Sequence, residues 1–300
     1  MHVPVLVHEM LEIIRPHSGG IYLDGTLGAG GHSGAILQGS EPDGIVTAFD
    51  LDAAALSRAS ERLRSYGDRF RPVHGGFHQA RDLLASTGVT SIDGAVLDLG
   101  LSSDQLEDAD RGFSFRHGGP LDMRFDTSSG LRVTEYLDTL SVKRLEEILA
   151  TYGEERYCKK LAVGIIRERD RGRLETTHDL AQVVSRILGT RRGRIHPATR
   201  TFQALRIAVN KEMENLATAL EDIPLLLKPH ARFCVISYHS LEDRQVKLSF
   251  RQRQKTSKIW RVVTPRPIRP STEELKANPR ARSAKMRALE ALECTKSQTC

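Results

Sequence analysis

Cysteine is scarce and scattered in this sequence. Cys158, Cys234, Cys294 and Cys300 form no C-x-x-C pair. That spacing suits neither a zinc site nor a disulfide framework, and it suggests a reducing compartment. Long apolar runs are missing as well. No stretch approaches the ~18 residues of a membrane span. The start, Met1-His2-Val3-Pro4, lacks a basic segment followed by an apolar one, so a cytoplasmic protein with no membrane contact is expected. Aromatic residues make up only 5%, which leaves few platforms on which nucleic-acid bases could stack.

What is present supports a folded core. Hydrophobic residues are 39% and charged residues 27% of 300, enough for one large α/β domain with an insertion, or for two domains. The net charge of +6 is unevenly placed. Twelve Lys and Arg against two Glu fall between Arg251 and Arg287, and the remainder holds 32 basic and 36 acidic residues. A second basic cluster is Arg186, Arg191, Arg192, Arg194 and Arg200. Focused positive charge attracts polyanions, although such a patch also serves as a solvated surface.

The first half alternates strand and helix. Short apolar runs at 21–24, 45–50, 70–74 and 94–98 read as strands, with helical patterns at 52–66 and 79–86 between them. This spacing predicts a parallel sheet. The alternation then stops. Residues 104–130 read as a long ordered loop, and 141–151, 154–170 and 177–188 as helices with Ser141 and Thr177 as N-caps. A helix over roughly 198–220 follows. Residues 232–238 form a fifth strand, a helix capped by Ser240 and Asp243 comes next, and 264–282 read as extended loop. The expected organisation is a Rossmann-like α/β sheet domain, 1–106 with 197–300, carrying a mainly helical insertion over 107–196.

The chemistry concentrates at Asp24-Gly-Thr-Leu-Gly-Ala-Gly-Gly-His-Ser33, between a strand and a helix. Glycine lets backbone approach a ligand and adopt positive φ. This is not the dinucleotide fingerprint, because Ser33 stands where G-x-G-x-x-G needs its last glycine. A lone glycine-rich turn is commonly just a tight turn, and a lone strand-end Asp is commonly an N-cap. Here Asp24, Asp50 and Asp98 each end a strand at one edge of the sheet, where open α/β folds bind ligands. An acid at Asp50 can accept ribose hydroxyls. A phosphate site calls for a nearby Lys, and neither Lys nor Arg lies between Asp24 and Asp50. The combination favours a phosphate-free nucleoside with a positive group, as in S-adenosylmethionine.

Taken together the motifs resemble the ribosomal RNA small subunit methyltransferase H family. They are Asp24 to Ser33, Asp98-Leu-Gly-Leu-Ser-Ser103, Arg111-Gly-Phe-Ser-Phe115, Gly119-Pro-Leu-Asp-Met-Arg124, Tyr152-Gly-Glu-Glu-Arg156, His196 to Ala204, His239-Ser-Leu-Glu-Asp-Arg244 and Asn278-Pro-Arg-Ala-Arg-Ser283. The resemblance implies a class I methyltransferase that uses S-adenosyl-L-methionine to methylate N4 of a cytidine in 16S rRNA, within the 30S subunit. It further implies cofactor contacts at Gly30, Gly31, His32, Asp50, Phe77, Asp98 and Gln105. Of these, His32, Phe77 and Gln105 follow from the resemblance alone. The family usually has Ser-Ser-Pro-Gln where this chain has Ser102-Ser-Asp104-Gln105. No metal is implied. The Asp/Asn-Pro-Pro-aromatic turn of many amino-methyltransferases is missing, so no catalytic base is assigned. A DNA or small-molecule methyltransferase has less use for two basic clusters, and a non-catalytic assembly factor has less use for the intact acids.

Overall fold

The computed structural model describes residues 4–116, 118–189 and 196–293. Backbone contacts divide the chain into two units, Met1–Gly100 with Met213–Cys300, and Leu101–Glu212. The boundaries expected at 107 and 196 thus move outward to 101 and 212.

The chain begins with α1 (Val7–Ile14), β1 (Ile21–Asp24), α2 (Gly31–Gly39), β2 (Ile45–Asp50), α3 (Ala53–Leu63), β3 (Phe70–His74), α4 (Ala80–Ser86) and β4 (Ile92–Asp98). The Leu101–Glu212 unit contributes α5 (Ser103–Glu107), α6 (Val133–Asp138), α7 (Val142–Gly153), α8 (Cys158–Arg169), α9 (Thr177–Leu188) and α10 (Thr199–Asn210). Then come α11 (Glu212–Leu225), β5 (Leu227–Ser237), α12 (Ser240–Thr256), β6 (Trp260–Val262), α13 (Thr272–Ala277) and β7 (Lys285–Ala291).

The strands form one seven-stranded sheet in the order β3-β2-β1-β4-β5-β7-β6. The first five run parallel, and β7 joins β5 antiparallel, with Phe233 opposite Leu289. The expected Rossmann-like sheet is present, with two strands more than the sequence suggested. Parallel strands covered on both faces need apolar side chains at successive positions. Val46, Ala48, Val96, Cys234 and Ile236 join one apolar cluster, while Phe49, Ala95, Leu97, Phe233 and Val235 join another. The period-two alternation of a strand thereby feeds two cores. Helix α11 contributes Leu216, Leu220 and Ile223 to the second of these. Strand order reverses between β1 and β4, and the carboxyl ends there open the crevice in which such sheets bind ligands.

The helical unit has its own core of Leu145, Leu149, Leu161, Ile165, Leu180, Val184, Phe202 and Leu205. Phe202, Ala204 and Leu205 lie in α10, which explains why the unit extends past 196. The single helix expected over 198–220 is two, divided at Lys211 with φ 51°. Asn210 stabilises that break. Its amide nitrogen donates to the Met123 carbonyl oxygen (2.7 Å) and its oxygen accepts from Phe125 N–H (2.8 Å).

Candidate cofactor site at the carboxyl edge of the sheet

Asp24 ends β1 fully buried, at 1% exposure. Its Oδ2 accepts from Ser33 Oγ (2.7 Å) and its Oδ1 from Thr26 N–H (3.1 Å). Burial pushes its carboxyl above the usual range, and His32 and Ser33 pull the other way. With both oxygens engaged inside the turn, Asp24 ties β1 to the start of α2.

Two glycines of the turn are irreplaceable on this backbone. Gly30 has φ 76°, and a Cβ there would lie 3.1 Å from Leu63 Cδ1 and 3.3 Å from Ala59 Cβ. Gly25 has no room at all, because a Cβ would run into Leu97 Cδ2 and sit 3.0 Å from Phe77 Cβ. Phe77 therefore lies directly against the turn, half-buried, just after β3. At Gly31 a Cβ would meet Pro4 Cβ at 2.7 Å.

Asp50 ends β2. Its Oδ2 accepts from Gly28 N–H (2.8 Å) and its Oδ1 from Asp52 N–H (2.9 Å). Burial raises its carboxyl to about 6 against the lowering effect of those two N–H groups. Each carboxylate oxygen keeps lone-pair capacity for further donors such as hydroxyls.

Asp98 ends β4. Burial raises its carboxyl to about 6 too, opposed by His32 and by a hydrogen bond from Tyr238. Tyr238 Oη donates to Oδ1 (2.8 Å), and His32 Nδ1 stands 3.9 Å from Oδ2. The Asp98 N–H donates to Thr26 Oγ1 (2.6 Å), which links β4 to the turn. His32 itself is turned inward. It is 4% exposed and its Nε2 lies 2.9 Å from the Val5 carbonyl oxygen. Six of the seven residues expected at the cofactor thus share one rim. Gln105 belongs to the helical unit, where its Oε1 accepts from Ser102 N–H (3.2 Å) in a reciprocal cap of α5.

Sequence reasoning missed Thr26, Ser33 and Tyr238. Ser33 had a signal in its place at the start of α2, whereas Tyr238 meets Asp98 across 140 residues of sequence. His239, which follows β5 directly, caps α12. Its Nδ1 accepts from Glu242 N–H (3.4 Å) while Glu242 Oε2 accepts from Tyr238 N–H (2.8 Å). The cap is one residue earlier than the expected Ser240. Similarly Thr176, not Thr177, caps α9, and Ser141 caps α7 as expected.

Two motifs of the helical unit serve as scaffold. Asp122 receives a bidentate pair from Arg124 (both 2.8 Å), and Arg111 donates to the Arg124 and Phe125 carbonyl oxygens. Gly112, at φ 70°, leaves no room for a Cβ against the Pro120 carbonyl oxygen.

Part of the basic tail is internally paired. Arg287 and Lys285 bond Asp243 (2.6 and 3.1 Å), and Arg261 Nε bonds Glu290 (2.6 Å). Arg251, Lys255, Lys258, Arg266, Arg269 and Arg282 are exposed. Arg186 and Arg200 are exposed as well, while Arg191, Arg192 and Arg194 lie outside the described residues, as do Cys294 and Cys300. No helix among the described residues is long and apolar enough to cross a membrane.

The model of the MraW methylase family matches residues 1–292. The chain is 48% identical over 303 residues to the ribosomal RNA small subunit methyltransferase H of Thermomicrobium roseum, covering 96% of this chain and 93% of that protein. Its counterpart in Trichlorobacter lovleyi is 46% identical, with 97% and 98% covered. That of Nitrosomonas europaea is also 46% identical, with 98% of each covered. This chain belongs to the MraW methylase family, and is accordingly a methyltransferase whose cofactor is S-adenosylmethionine.

Proposed function

We propose that this methyltransferase modifies N4 of a cytidine in 16S rRNA, in the setting of the 30S subunit and hence in the cytoplasm, with S-adenosylmethionine held by Gly30, Gly31, His32, Asp50, Phe77 and Asp98. The observation that carries the cofactor site is the electrostatics of the rim. Two carboxyls, Asp50 and Asp98, are raised to about 6 by burial, and Asp24 is raised beside them. His32 offsets that burial only in part at Asp24 and Asp98, so a further positive charge would be favoured there, and the donor has one. Arg62 reaches the turn but is engaged with the Ala29 carbonyl oxygen (3.0 Å), so the rim is not arranged for phosphate. The bare backbone at Gly28 and Gly30 allows close approach, Asp50 suits ribose hydroxyls, and the Phe77 ring offers an apolar flank. The rRNA substrate and its N4 position rest on the names of the relatives and on the motif resemblance.

When bound, S-adenosylmethionine supplies a methyl group on a positively charged sulfur. The residues of the rim hold that donor still, and orientation of this kind is worth roughly 7–11 kcal/mol in well-aligned reactions. Asp98 lowers the energy of the positive charge before transfer. The cytosine amine must leave its base stack to reach the methyl group, which costs a few kcal/mol. The helical unit is read as the substrate-recognition domain, in which Gln105 has its place, and exposed arginines such as Arg251 and Arg269 as phosphate contacts.

Transfer of labelled methyl groups to free 16S rRNA and to 30S particles, followed by nucleoside digestion, tests this reading. N4-methylcytidine is the expected product. Label on another nucleoside, or none with either substrate, refutes it.

A further inference from the structure

Asp98 is held by a residue with no assigned part in the reaction. We propose that Tyr238 is a positioning residue for methyl transfer: its hydroxyl, at the end of β5, fixes Oδ1 of Asp98 and so presents Oδ2 to the positive charge of the methyl donor. The inference rests on the reading of Asp98 as a cofactor contact.

The geometry follows from the sheet. β4 and β5 pair in parallel with Asp98 beside Ile236. Tyr238 is two residues further on, and so returns to the same face and reaches back across the strand end. Its ring packs half-buried against the cluster of Val96, Cys234 and Ile236, and its N–H donates to Glu242 Oε2 (2.8 Å). The backbone and the ring are therefore both fixed, and the hydroxyl meets Oδ1 at 2.8 Å. A short bond from a neutral hydroxyl to a carboxylate is charge-assisted. Burial, then the proximity of Asp98, push the Tyr238 phenol far above its ordinary range, so it acts only as a donor.

Rotation about the Cβ–Cγ bond of an aspartate is soft. Without the hydroxyl, no other side-chain hydrogen bond among the described residues fixes which oxygen faces the rim, since His32 Nδ1 is 3.9 Å away. The donated hydrogen also favours the ionised carboxylate against its burial. The other charged groups facing Asp98 are His32 from α2, Asp24 from β1 and Glu242 from α12, while Glu274 from α13 faces the phenol. The two acids near Asp98 oppose its ionisation, which leaves His32 and Tyr238 to favour it.

The test is Tyr238→Phe in the full chain, titrated with S-adenosylmethionine by calorimetry from pH 5.5 to 8.5 and assayed for labelled-methyl turnover. Loss of one charge-assisted hydrogen bond is expected to weaken cofactor binding about tenfold at pH 6.5. KM for the cofactor should rise by more than kcat falls. The acid limb of the affinity profile should move to higher pH than in the parent protein, and the deficit should shrink toward pH 8.5. Asp50 titrates in the same region, so the limb is compared between variants. Unaltered binding, or an equal loss at every pH, overturns the proposal. Asp98→Asn separates the two readings. If it binds like the parent, the cofactor assignment of Asp98 fails and this inference with it. If it binds weakly while Tyr238→Phe is unaffected, this inference fails alone.

Discussion

A carboxylate that waits for a cation burdens the unliganded protein, and Asp98→Asn measures that burden. The Asp98 carboxyl stands at about 6 in the fold against its ordinary value of 3.8. A shift of that size corresponds to about 3 kcal/mol. The sign is set by which state holds the proton. Between about pH 4 and pH 6 the folded chain binds it more tightly than the unfolded chain does. Stability from this group is complete below pH 4, is lost as pH rises through 6, and stays lost at neutral pH. An amide has no charge to bury. Its oxygen can still accept from Tyr238, and its nitrogen can face His32 Nδ1.

The side chain is 20% exposed, and water reaching it trims the penalty. The variant is therefore expected to be more stable than the parent by about 1–3 kcal/mol at pH 7.5, with the difference fading toward pH 4. Over the same change S-adenosylmethionine affinity should fall about ten- to a hundredfold, the value of a charged partner. Urea unfolding of the unliganded protein at several pH values, paired with calorimetry, reads both. A variant that is less stable by more than about 1 kcal/mol at pH 7.5, or a stability difference that does not change with pH, would refute the burial argument.

Other perturbations probe separate parts of the fold. Gly30→Ala places a side chain at φ 76° against Leu63 and Ala59; a loss of about 1–3 kcal/mol in unfolding free energy and of measurable cofactor binding is expected. Glu290→Ala leaves the half-buried Arg232, bonded to it at 3.1 and 3.2 Å, without its acid. Thermal unfolding should report a cost of about 3–5 kcal/mol, eased by the Arg232 bond to the Ile13 carbonyl oxygen. For rRNA binding, replacing exposed Arg251, Arg266 and Arg269 with Ala should reduce the slope of log affinity against log salt by about 0.7–0.9 for each phosphate contact removed. Filter binding at graded salt checks this, and an unchanged slope moves the RNA path elsewhere.

How much of this was legible in the sequence depends on whether the deciding contacts were local. The five parallel strands announce themselves, because each carries a short run rich in apolar residues and three of them end in Asp. Strand β7 does not. Lys285-Met-Arg-Ala-Leu-Glu-Ala291 reads as helix on composition, since Ala, Leu, Met, Glu and Lys are strong helix formers, yet Arg287 and Glu290 are buried in it at 7% and 2%. Their partners, Asp243 for the first and Arg232 and Arg261 for the second, come from β5, β6 and α12. No local pattern encodes an ion pair that tolerates a strand where propensity favours a helix.

The same contrast runs through the site. Asp50 and Asp98 were readable because position at a strand end is a local property, and the role proposed for them rests on the edge of the sheet they share. The inward turn of His32 was not readable, because it depends on Val5 arriving from before β1. Nor was Tyr238, whose partner is fixed only once β5 inserts beside β4. The basic tail shows the converse error. Charge counted along the sequence treats Arg251 and Arg287 alike, but only the first is exposed to a polyanion, while the second neutralises Asp243 inside the sheet domain. Local pattern thus locates the rim and the acids that end its strands. The side chains that hold those acids in a useful orientation are set by strand order, and strand order is decided by contacts over the whole chain.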